Sequence, residues 1–181
     1  MNMIVAFCKN RGIGYKNRLP WNIPNEIKYF KKKTSNGDNN VVVMGRNTWE
    51  SLPTKPLKNR KNIILSNSLN SNDLKIFNNT MCVPNFESLD NTLNCLMNDH
   101  KIWLIGGQSI YDYYIEHPKL DKIYITYIDY SFQYDTQFPE IPNNFKIIQN
   151  RSVIMHNDFN YNYKIYKQFI IRVNTTRQII I

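Results

Sequence analysis

The sequence predicts a single α/β domain with a mainly parallel central sheet of about eight strands, helices on both faces and an antiparallel C-terminal edge. Short apolar runs alternate with stretches of helical periodicity as far as Pro118, which is typical of a parallel sheet covered on both faces. Beyond Pro118 strand-like segments follow one another without intervening helices, which indicates antiparallel pairing. A chain of 181 residues is long enough to bury one substantial core.

The elements can be assigned in chain order from these patterns. Buried strands are predicted at residues 4–7, 41–44, 63–65 and 102–105, and later strands at 122–129, 145–152 and 162–169. Helices are predicted at about residues 24–33, around residue 48, at 88–97 and at 109–115. We predict one domain over residues 1–170, followed by a tail at 171–181 with no assigned role.

Composition excludes several classes of protein. No segment has the length of a membrane-spanning helix, and the N-terminal apolar run is too short and lacks the basic flank of a secretory signal. The three cysteines form no CxxC and the three histidines have no ligand spacing, so we predict no metal site and a reducing, cytoplasmic location. The net charge of +9 favours anionic partners, but the cations are scattered apart from the run at 31–33, which fits a solvated helix end.

One carboxylate, Glu26, is predicted to lie on the apolar face of the first helix. With about 100° per residue, Phe30 lies about 40° from it, Ile23 and Tyr29 about 60°, and Ile27 about 100°. A carboxylate in such surroundings is poorly hydrated, and its burial costs several kcal/mol or raises its pKa. Glu26 therefore has either a structural partner or a ligand.

Three further segments end predicted strands with residues suited to ligand binding. Gly12 and Gly14 follow the first strand, residues 44–53 contain Gly-Arg-Asn-Thr before a helix, and residues 105–111 contain a Gly-Gly pair before another helix. Each segment also has a simpler explanation. The two glycines could provide loop flexibility, Asn47 or Thr48 could cap a helix, and the Gly-Gly pair could form a tight turn. Because ligands bind along the carboxyl edge of open α/β sheets, their shared position favours a binding site there.

Five motifs occur in a familiar order. They are Leu19-Pro-Trp-Asn-Ile-Pro-Asn-Glu26, Gly45-Arg-Asn-Thr-Trp-Glu-Ser51, Arg60-Lys-Asn-Ile-Ile-Leu-Ser66, Ile105-Gly-Gly107 and Asp135-Thr-Gln-Phe-Pro139. With this order and spacing the chain resembles the dihydrofolate reductase family over nearly its whole length. The resemblance implies a monomeric enzyme of one-carbon metabolism that uses NADPH to reduce 7,8-dihydrofolate to 5,6,7,8-tetrahydrofolate, with hydride transfer to C6 and protonation at N5. It also implies binding of antifolate-type small molecules.

The resemblance implies a catalytic set of four residues. Glu26 accepts hydrogen bonds from the 2-amino group and N3 of the pterin, and Thr126 bonds to that carboxylate. Trp21 holds a water molecule near the pterin, and Leu19 on a closing loop controls access of water to N5.

The resemblance also implies the binding residues. Phe30 and Leu52 enclose the substrate rings, and Arg60 binds the α-carboxylate of the glutamate tail, a task that suits a guanidinium. The full substrate set is Ala6, Ile27, Phe30, Leu52, Leu57, Arg60, Ile105 and Tyr111. The cofactor set is Ala6, Ile13, Gly14, Gly45, Arg46, Asn47, Thr48, Leu65, Ser66, Asn67, Gly106, Gly107, Gln108, Ser109 and Ile110. In this family the glycine pair is typically joined by a cis peptide bond.

Two departures bear on the cofactor, and three alternatives stay open. Asn67 and Ser109 stand where some relatives carry arginine, so Arg46 is expected to carry most of the recognition of the 2′-phosphate, with NADPH still favoured over NADH. The alternatives are a related pyrimidine reductase of riboflavin synthesis, a basic nucleic-acid-binding protein, and a fragment of a fusion to thymidylate synthase.

Overall fold

The computed structural model describes residues 1–69, 74, 76–156 and 159–169. The predicted tail at 171–181 lies outside the described residues. The described strands are β1 (Asn2–Cys8), β2 (Gly12–Gly14), β3 (Asn40–Gly45), β4 (Lys61–Leu65), β5 (Thr80–Val83), β6 (Lys101–Leu104), β7 (Lys122–Ile128), β8 (Thr136–Gln137), β9 (Phe145–Asn150), β10 (Ile154–His156) and β11 (Phe159–Gln168). The helices are α1 (Pro24–Thr34), α2 (Arg46–Ser51), α3 (Phe86–Leu96) and α4 (Gln108–Tyr114).

The central sheet has the predicted mixed character. Its order is β10-β11-β7-β1-β6-β3-β4-β5, and β9 pairs with the same side of β11 as β10 does. The pairs from β7 through β1, β6, β3 and β4 to β5 are all parallel. The pairs of β11 with β7, β9 and β10 are antiparallel. The predicted parallel sheet with an antiparallel C-terminal edge is thus confirmed.

The continuous apolar runs reflect burial on both faces of the sheet. Val41 and Val43 belong to one core cluster together with Leu89 of α3 and Ile110 of α4. The alternate residues of β3 belong to a second cluster on the opposite face, with Trp49 of α2. Successive side chains of a strand point to opposite faces, so a strand between two helical layers needs apolar residues at every position.

Helix α1 begins and ends where the sequence indicates. A proline occupies its first turn, where a missing N–H has no cost, and the lysine run falls in its last turn. Its fully or nearly buried residues are Glu26 and Thr34, at opposite ends of the helix. No helix within the described residues is long and apolar enough to cross a bilayer.

The sequence patterns missed several short strands. β5 at Thr80–Val83 lies at the edge of the sheet, is only partly buried and lacks an apolar run. β2 and β8 form a separate two-stranded sheet that ties the segment after β1 to residues 136–137. Such two- and three-residue strands depend on partners distant in sequence and leave little local signal.

Candidate active site

A cavity of about 1190 Å³ opens at the carboxyl ends of β1, β3 and β6, where the sequence places the three ligand-binding segments. Residues from all three segments and from α1 line it, so the predicted convergence at this edge is confirmed. The lining includes these predicted residues: Ala6, Ile13, Gly14, Leu19, Glu26, Ile27, Phe30, Gly45, Arg46, Asn47, Thr48, Leu52, Leu57, Arg60, Leu65, Ile105, Gly107, Gln108, Ser109 and Tyr111.

Glu26 is a buried carboxylate that lines this cavity from the first turn of α1, which we call the inner end of the cavity. Its side chain is 7% exposed and accepts no hydrogen bond from the described residues. Burial disfavours the charged form and raises the pKa of Glu26 from 4.5 to about 7. Ile23 and Phe30, which lie within about one helical turn of Glu26, belong to hydrophobic clusters, so the protein surroundings of this carboxylate are largely apolar. The group is therefore available to a ligand that donates hydrogen bonds.

Arg60 carries a buried guanidinium near the C-terminal end of α1, opposite to the end that carries Glu26. It is 7% exposed and lies just before β4. Nη1 donates to Thr34 Oγ1 at 2.7 Å, and Nε donates to the Lys58 carbonyl at 3.0 Å. Its guanidinium carbon lies 5.9 Å from the centre of the Phe30 ring. Since the described salt bridges do not include Arg60, its charge is free to meet an anion in the cavity.

Asn62 fixes the loop that carries Arg60. Its fully buried amide accepts from the backbone N–H of Leu57 and donates to the carbonyls of Leu57 and Arg60, each at 3.0 Å. Thr34 in turn donates to the Phe30 carbonyl at 2.9 Å. These contacts join the loop, α1 and the guanidinium into one hydrogen-bonded unit.

The Gly106–Gly107 pair brings the backbone close to α2. Its peptide bond is cis, as expected from the resemblance, and the Gly106 carbonyl accepts from Gly45 N–H at 2.8 Å. Gly106 has φ +101°, a conformation that side chains disfavour, and an added Cβ would lie 2.9 Å from the Tyr111 ring. A Cβ on Gly107 would lie 3.3 Å from Thr48 Oγ1. The turn therefore forms a tight, glycine-dependent cradle.

Arg46 lies at the start of α2, next to this cradle. Its guanidinium pairs with Glu50 and donates from Nη1 to Ser68 Oγ at 2.6 Å. The N-cap residue of α2 is Gly45, and no side chain caps the helix. The alternative in which Asn47 or Thr48 serves as a cap is therefore wrong, and both of these residues line the cavity instead.

The loop between β1 and α1 reaches over the cavity entrance. Tyr15 and Arg18 exchange backbone hydrogen bonds around two residues with positive φ. Asp135 holds this hairpin in place, because its carboxylate accepts from Lys16 N–H at 2.7 Å and its own N–H donates to the Gly14 carbonyl at 3.0 Å. Leu19 follows the hairpin, is 53% exposed and lines the cavity.

A family model described as dihydrofolate reductase matches residues 1–168. The chain belongs to the dihydrofolate reductase family. A dihydrofolate reductase of Drosophila melanogaster is 36% identical, with 92% of this chain and 97% of that protein covered. One of Gallus gallus is 36% identical over 82% of each chain. A bifunctional dihydrofolate reductase-thymidylate synthase of Paramecium tetraurelia is 32% identical over 98% of this chain, which corresponds to 36% of that protein.

Membership of the dihydrofolate reductase family identifies the protein as an enzyme that reduces dihydrofolate to tetrahydrofolate. Six of the residues predicted from the resemblance do not line the cavity: Trp21, Ser66, Asn67, Gly106, Ile110 and Thr126.

Trp21 and Thr126 are buried and do not line the cavity. The Trp21 ring packs 5.7 Å from the Phe132 ring, and its buried Nε1 has no partner within the described part of the chain. Thr126 is opposite Ala6 in the sheet, and no hydrogen bond joins it to Glu26, although both are described. The direct hydrogen bond between Thr126 and Glu26 that the resemblance implies is therefore not found among the described residues. Tyr163, next to Thr126 on β11, reaches α1 instead and donates to the Asn25 carbonyl at 3.3 Å.

The other four predicted residues that do not line the cavity belong to the cofactor set, and three of them, Ser66, Gly106 and Ile110, have structural roles. The Ser66 hydroxyl accepts from the N–H groups of Ser68 and Leu69, at 3.2 and 3.1 Å, and so closes a turn. Ile110 is fully buried in the core on the far side of α4, so its side chain cannot meet a ligand. Asn67 is exposed outside the cavity. Gly106 contributes its carbonyl to the bond with Gly45 and leaves the lining to Gly107.

Sequence reasoning also missed residues that support or line the site. Thr34 and Asn62 hold Arg60 and its loop, and both are buried polar residues in otherwise ordinary surroundings. Lys31 and Lys58 line the cavity near Arg60. For Lys31 a signal existed, since it lies one helical turn after Ile27, but the lysine run had the simpler explanation of a solvated helix end.

Proposed function

We propose that the protein reduces 7,8-dihydrofolate to 5,6,7,8-tetrahydrofolate with NADPH as the reductant, in the cavity between Glu26 and Arg60. The observation that supports this best is the pairing of two buried, oppositely charged groups in one largely apolar cavity, with no salt bridge between them. A ligand with a hydrogen-bond-donating pterin at one end and a carboxylate at the other matches both groups.

Glu26 is proposed to orient and charge-stabilise the pterin. Its ionised carboxylate accepts hydrogen bonds from the 2-amino group and N3, and hydrogen bonds to the charged form oppose the effect of burial on the pKa of Glu26. Substrate binding and ionisation of Glu26 therefore favour each other. The negative charge then stabilises the positive charge that develops on the pterin when N5 gains its proton.

The proton for N5 is proposed to come from water, because Glu26 is placed at the opposite edge of the ring. The unpartnered Trp21 Nε1 suits a residue that holds a water molecule next to the site. Leu19, on the loop at the entrance, is proposed to limit the access of water to N5. NADPH, when bound, supplies the hydride that goes to C6.

Arg60 is proposed to anchor the glutamate tail of the substrate. Its guanidinium is oriented by Thr34 and by the Lys58 carbonyl, which leaves nitrogen donors free to bind a carboxylate in a defined geometry. Phe30 and Leu52, between Glu26 and Arg60, are proposed to enclose the rings of the substrate. Anchoring at both ends fixes the reacting carbon with respect to the cofactor side of the cavity.

The residues of the cofactor side fit a dinucleotide with a 2′-phosphate. The glycine turn lacks side chains and so favours close approach of a ligand to the backbone, and a Cβ added at Gly107 would lie 3.3 Å from Thr48 Oγ1. The exposed guanidinium of Arg46, beside the Ser68 hydroxyl, offers donors to a phosphate. Since Glu50 already pairs with Arg46, and Ser109 and Asn67 replace arginine, we propose a preference for NADPH that is weaker than two guanidinium groups provide.

The turnover assay with pure protein, dihydrofolate and either NADPH or NADH tests the proposal. Loss of nicotinamide absorbance that depends on dihydrofolate is expected, faster with NADPH. The absence of turnover with both cofactors would reject the proposal. Turnover of a ribitylamino-pyrimidine phosphate in its place would favour the riboflavin-pathway alternative.

The role of Arg46 is tested by the ratio of NADPH to NADH affinity. Replacement of Arg46 by alanine is expected to lower this ratio by about five- to tenfold, since an exposed charge-assisted contact contributes about 1 kcal/mol. Fluorescence titration of both cofactors with the wild type and the variant measures it. Arg11→Ala is a matched control, because Arg11 is also paired with a glutamate on the surface but does not line the cavity. An unchanged ratio in Arg46→Ala would exclude Arg46 from 2′-phosphate recognition.

We further propose that the enzyme acts as a monomer in the cytoplasm. Three free cysteines, Cys8, Cys82 and Cys95, support a reducing compartment.

A further inference from the structure

The first turn of α1, which carries Glu26, begins without a side-chain cap. Its N-cap residue is Ile23, and no side chain makes a capping hydrogen bond there. A serine, threonine, aspartate or asparagine at an N-cap holds the first turn of a helix by accepting a hydrogen bond from a backbone N–H. Contacts from outside α1 therefore decide how firmly the backbone of Glu26 is held.

The peptide group between Asn25 and Glu26 is held on both sides. The Glu26 N–H donates to the Ile23 carbonyl at 3.0 Å. The Asn25 carbonyl accepts from the hydroxyl of Tyr163, on β11, at 3.3 Å. Among the described residues, no other side chain outside α1 forms a hydrogen bond with residues 24–27. Tyr163 is thus the side chain that ties this turn to the sheet.

The ring of Tyr163 makes a second contact with α1. It stacks on the Tyr29 ring, with 4.0 Å between the ring centres and 27° between the ring planes. Tyr29 follows Glu26 by three residues, so Tyr163 contacts α1 immediately before Glu26 and again almost one turn after it. Because Tyr163 is buried, with 7% of its surface exposed, both contacts belong to packed protein and not to a mobile surface side chain.

The Tyr163 hydroxyl also lies close enough to Glu26 for the two groups to interact electrostatically. Burial is the main cause that raises the pKa of Tyr163, and the neighbouring Tyr161 hydroxyl and the charge of Glu26 raise it further. The hydroxyl therefore stays protonated near neutral pH and remains a donor. Since Glu26 accepts no hydrogen bond from the described residues, Tyr163 acts on it through the Asn25 peptide group.

We propose that Tyr163 is a positioning residue for Glu26: its hydroxyl holds the peptide group before this carboxylate, and its ring holds the turn that follows. It does so from the strand position paired with Thr126, the residue that the resemblance implies as the partner of Glu26. The role rests on the proposed function, in which Glu26 accepts hydrogen bonds from the pterin. Hydrogen bonds weaken steeply when their geometry is poor, so a first turn that is free to shift would reduce the stabilisation of the transition state.

The test compares Tyr163→Phe with the wild type. Phenylalanine keeps the ring and removes only the hydroxyl, so the fold should be retained. We expect kcat to fall by about three- to tenfold, the effect of one hydrogen bond, and the dissociation constant for NADPH to change by less than about twofold. Steady-state kinetics with dihydrofolate and fluorescence titration measure the two quantities. Tyr163→Leu, which also loses the stack on Tyr29, should lower kcat more than Tyr163→Phe does.

A double-mutant cycle with Glu26→Gln separates positioning of the carboxylate from a general structural effect. Tyr163→Phe should lower kcat by less than about 1.5-fold when it is added to Glu26→Gln, because no charged carboxylate is left to be positioned. The matched control is Tyr166→Phe, which removes a phenol hydroxyl from the same strand. Tyr166 packs against a different core cluster from Tyr163, so this variant should keep the wild-type kcat.

The outcomes separate this role from the proposed function. No turnover by the wild type would reject the proposed function itself. Wild-type turnover with an unchanged kcat in Tyr163→Phe would reject the positioning role alone. A loss by the same factor in the Glu26→Gln background, or an equal loss in Tyr166→Phe, would show that the Tyr163 hydroxyl only stabilises the fold. The comparison of Tyr163→Phe with Tyr166→Phe decides the question if the double variant does not fold.

Discussion

The two ends of the cavity contain buried ionisable groups, Glu26 and Arg60, that differ in their hydrogen-bond partners. Glu26 accepts no hydrogen bond from the described residues, and burial raises its pKa to about 7. Arg60 is equally buried but is oriented by Thr34 and the Lys58 carbonyl and stays charged at any physiological pH. The charge of Glu26 therefore depends on its surroundings near neutral pH, whereas Arg60 has a permanent charge in a fixed position.

This difference suits the two proposed roles, which are charge stabilisation by Glu26 and anchoring of the substrate by Arg60. A carboxylate that gains its charge only with a hydrogen-bonding partner stabilises a charge that develops during the reaction, which is how buried electrostatic groups assist catalysis. A guanidinium that is held before the ligand arrives loses little entropy on binding and so serves as an anchor. Substitution of Glu26 should therefore lower kcat, and substitution of Arg60 should raise KM for dihydrofolate.

The largest effect is expected from Glu26→Gln. The amide cannot carry the charge, so kcat should fall by about 10²- to 10³-fold, the range for removal of a group that stabilises charge developing in the transition state. The dissociation constant for NADPH should change by less than about twofold, because Glu26 is proposed to contact the substrate and not the cofactor. Steady-state kinetics and fluorescence titration measure the two quantities. Equal losses in turnover and NADPH binding would show that Glu26 is a structural residue.

The same variant should be more stable than the wild type in alkaline solution. A carboxyl with a raised folded pKa destabilises the protein above that pKa, here about 7, and the penalty disappears as the pH falls towards 4.5. Removal of the charge should therefore raise the free energy of unfolding by about 3 kcal/mol at pH 8. Most of that gain should vanish by pH 5. Urea unfolding at both pH values measures it, with Glu116→Gln, on an exposed glutamate, as control. A gain that is the same at both pH values would contradict the raised pKa.

At the outer end, Arg60→Gln should raise KM for dihydrofolate by about 30-fold or more, since loss of one partner of a buried charge pair costs at least 2 kcal/mol. Its effect on kcat should be much smaller. Arg60→Lys keeps the charge but not the planar donors, so its KM for dihydrofolate should lie between that of Arg60→Gln and that of the wild type. A loss confined to kcat in Arg60→Gln would contradict the assigned anchoring role.

The smallest effect is expected from Thr34→Val, which removes the hydroxyl that orients Arg60 with little change in shape. KM for dihydrofolate should rise by about fivefold, the effect of one hydrogen bond, with kcat nearly unchanged. Ser35→Ala is the control, because Ser35 also bonds to a carbonyl of α1 but does not contact Arg60. If both variants raise KM equally, the effect comes from the end of the helix and not from the guanidinium.

The sequence was informative wherever a local pattern has one physical cause. Apolar runs such as residues 41–44 identified the strands that both layers of helices cover. The period of α1 placed Glu26 among apolar residues, and the structure buries it there. The order of five motifs added most of the residues that line the cavity.

Other features depend on contacts between distant segments, and local patterns could not reveal them. Ile110 follows the glycine turn by only three residues in sequence, yet its side chain is fully buried in the core. Thr126 lies in the predicted strand, but Tyr163 of the neighbouring strand makes the bond to α1.

The sequence by itself determined the longer strands and the helices, the apolar surroundings of Glu26 and the sheet edge at which the three predicted ligand-binding segments meet, because hydrophobic periodicity and turn residues act locally. Only the tertiary structure decided how the charges are used. It joined Thr34 to Arg60 across 26 residues, left the Glu26 carboxylate without a partner among the described residues, and brought Lys31 and Lys58 to the same cavity. The physical reason is that hydrogen bonds and charge interactions depend on distances in space, which packing of the whole sheet and its helices sets.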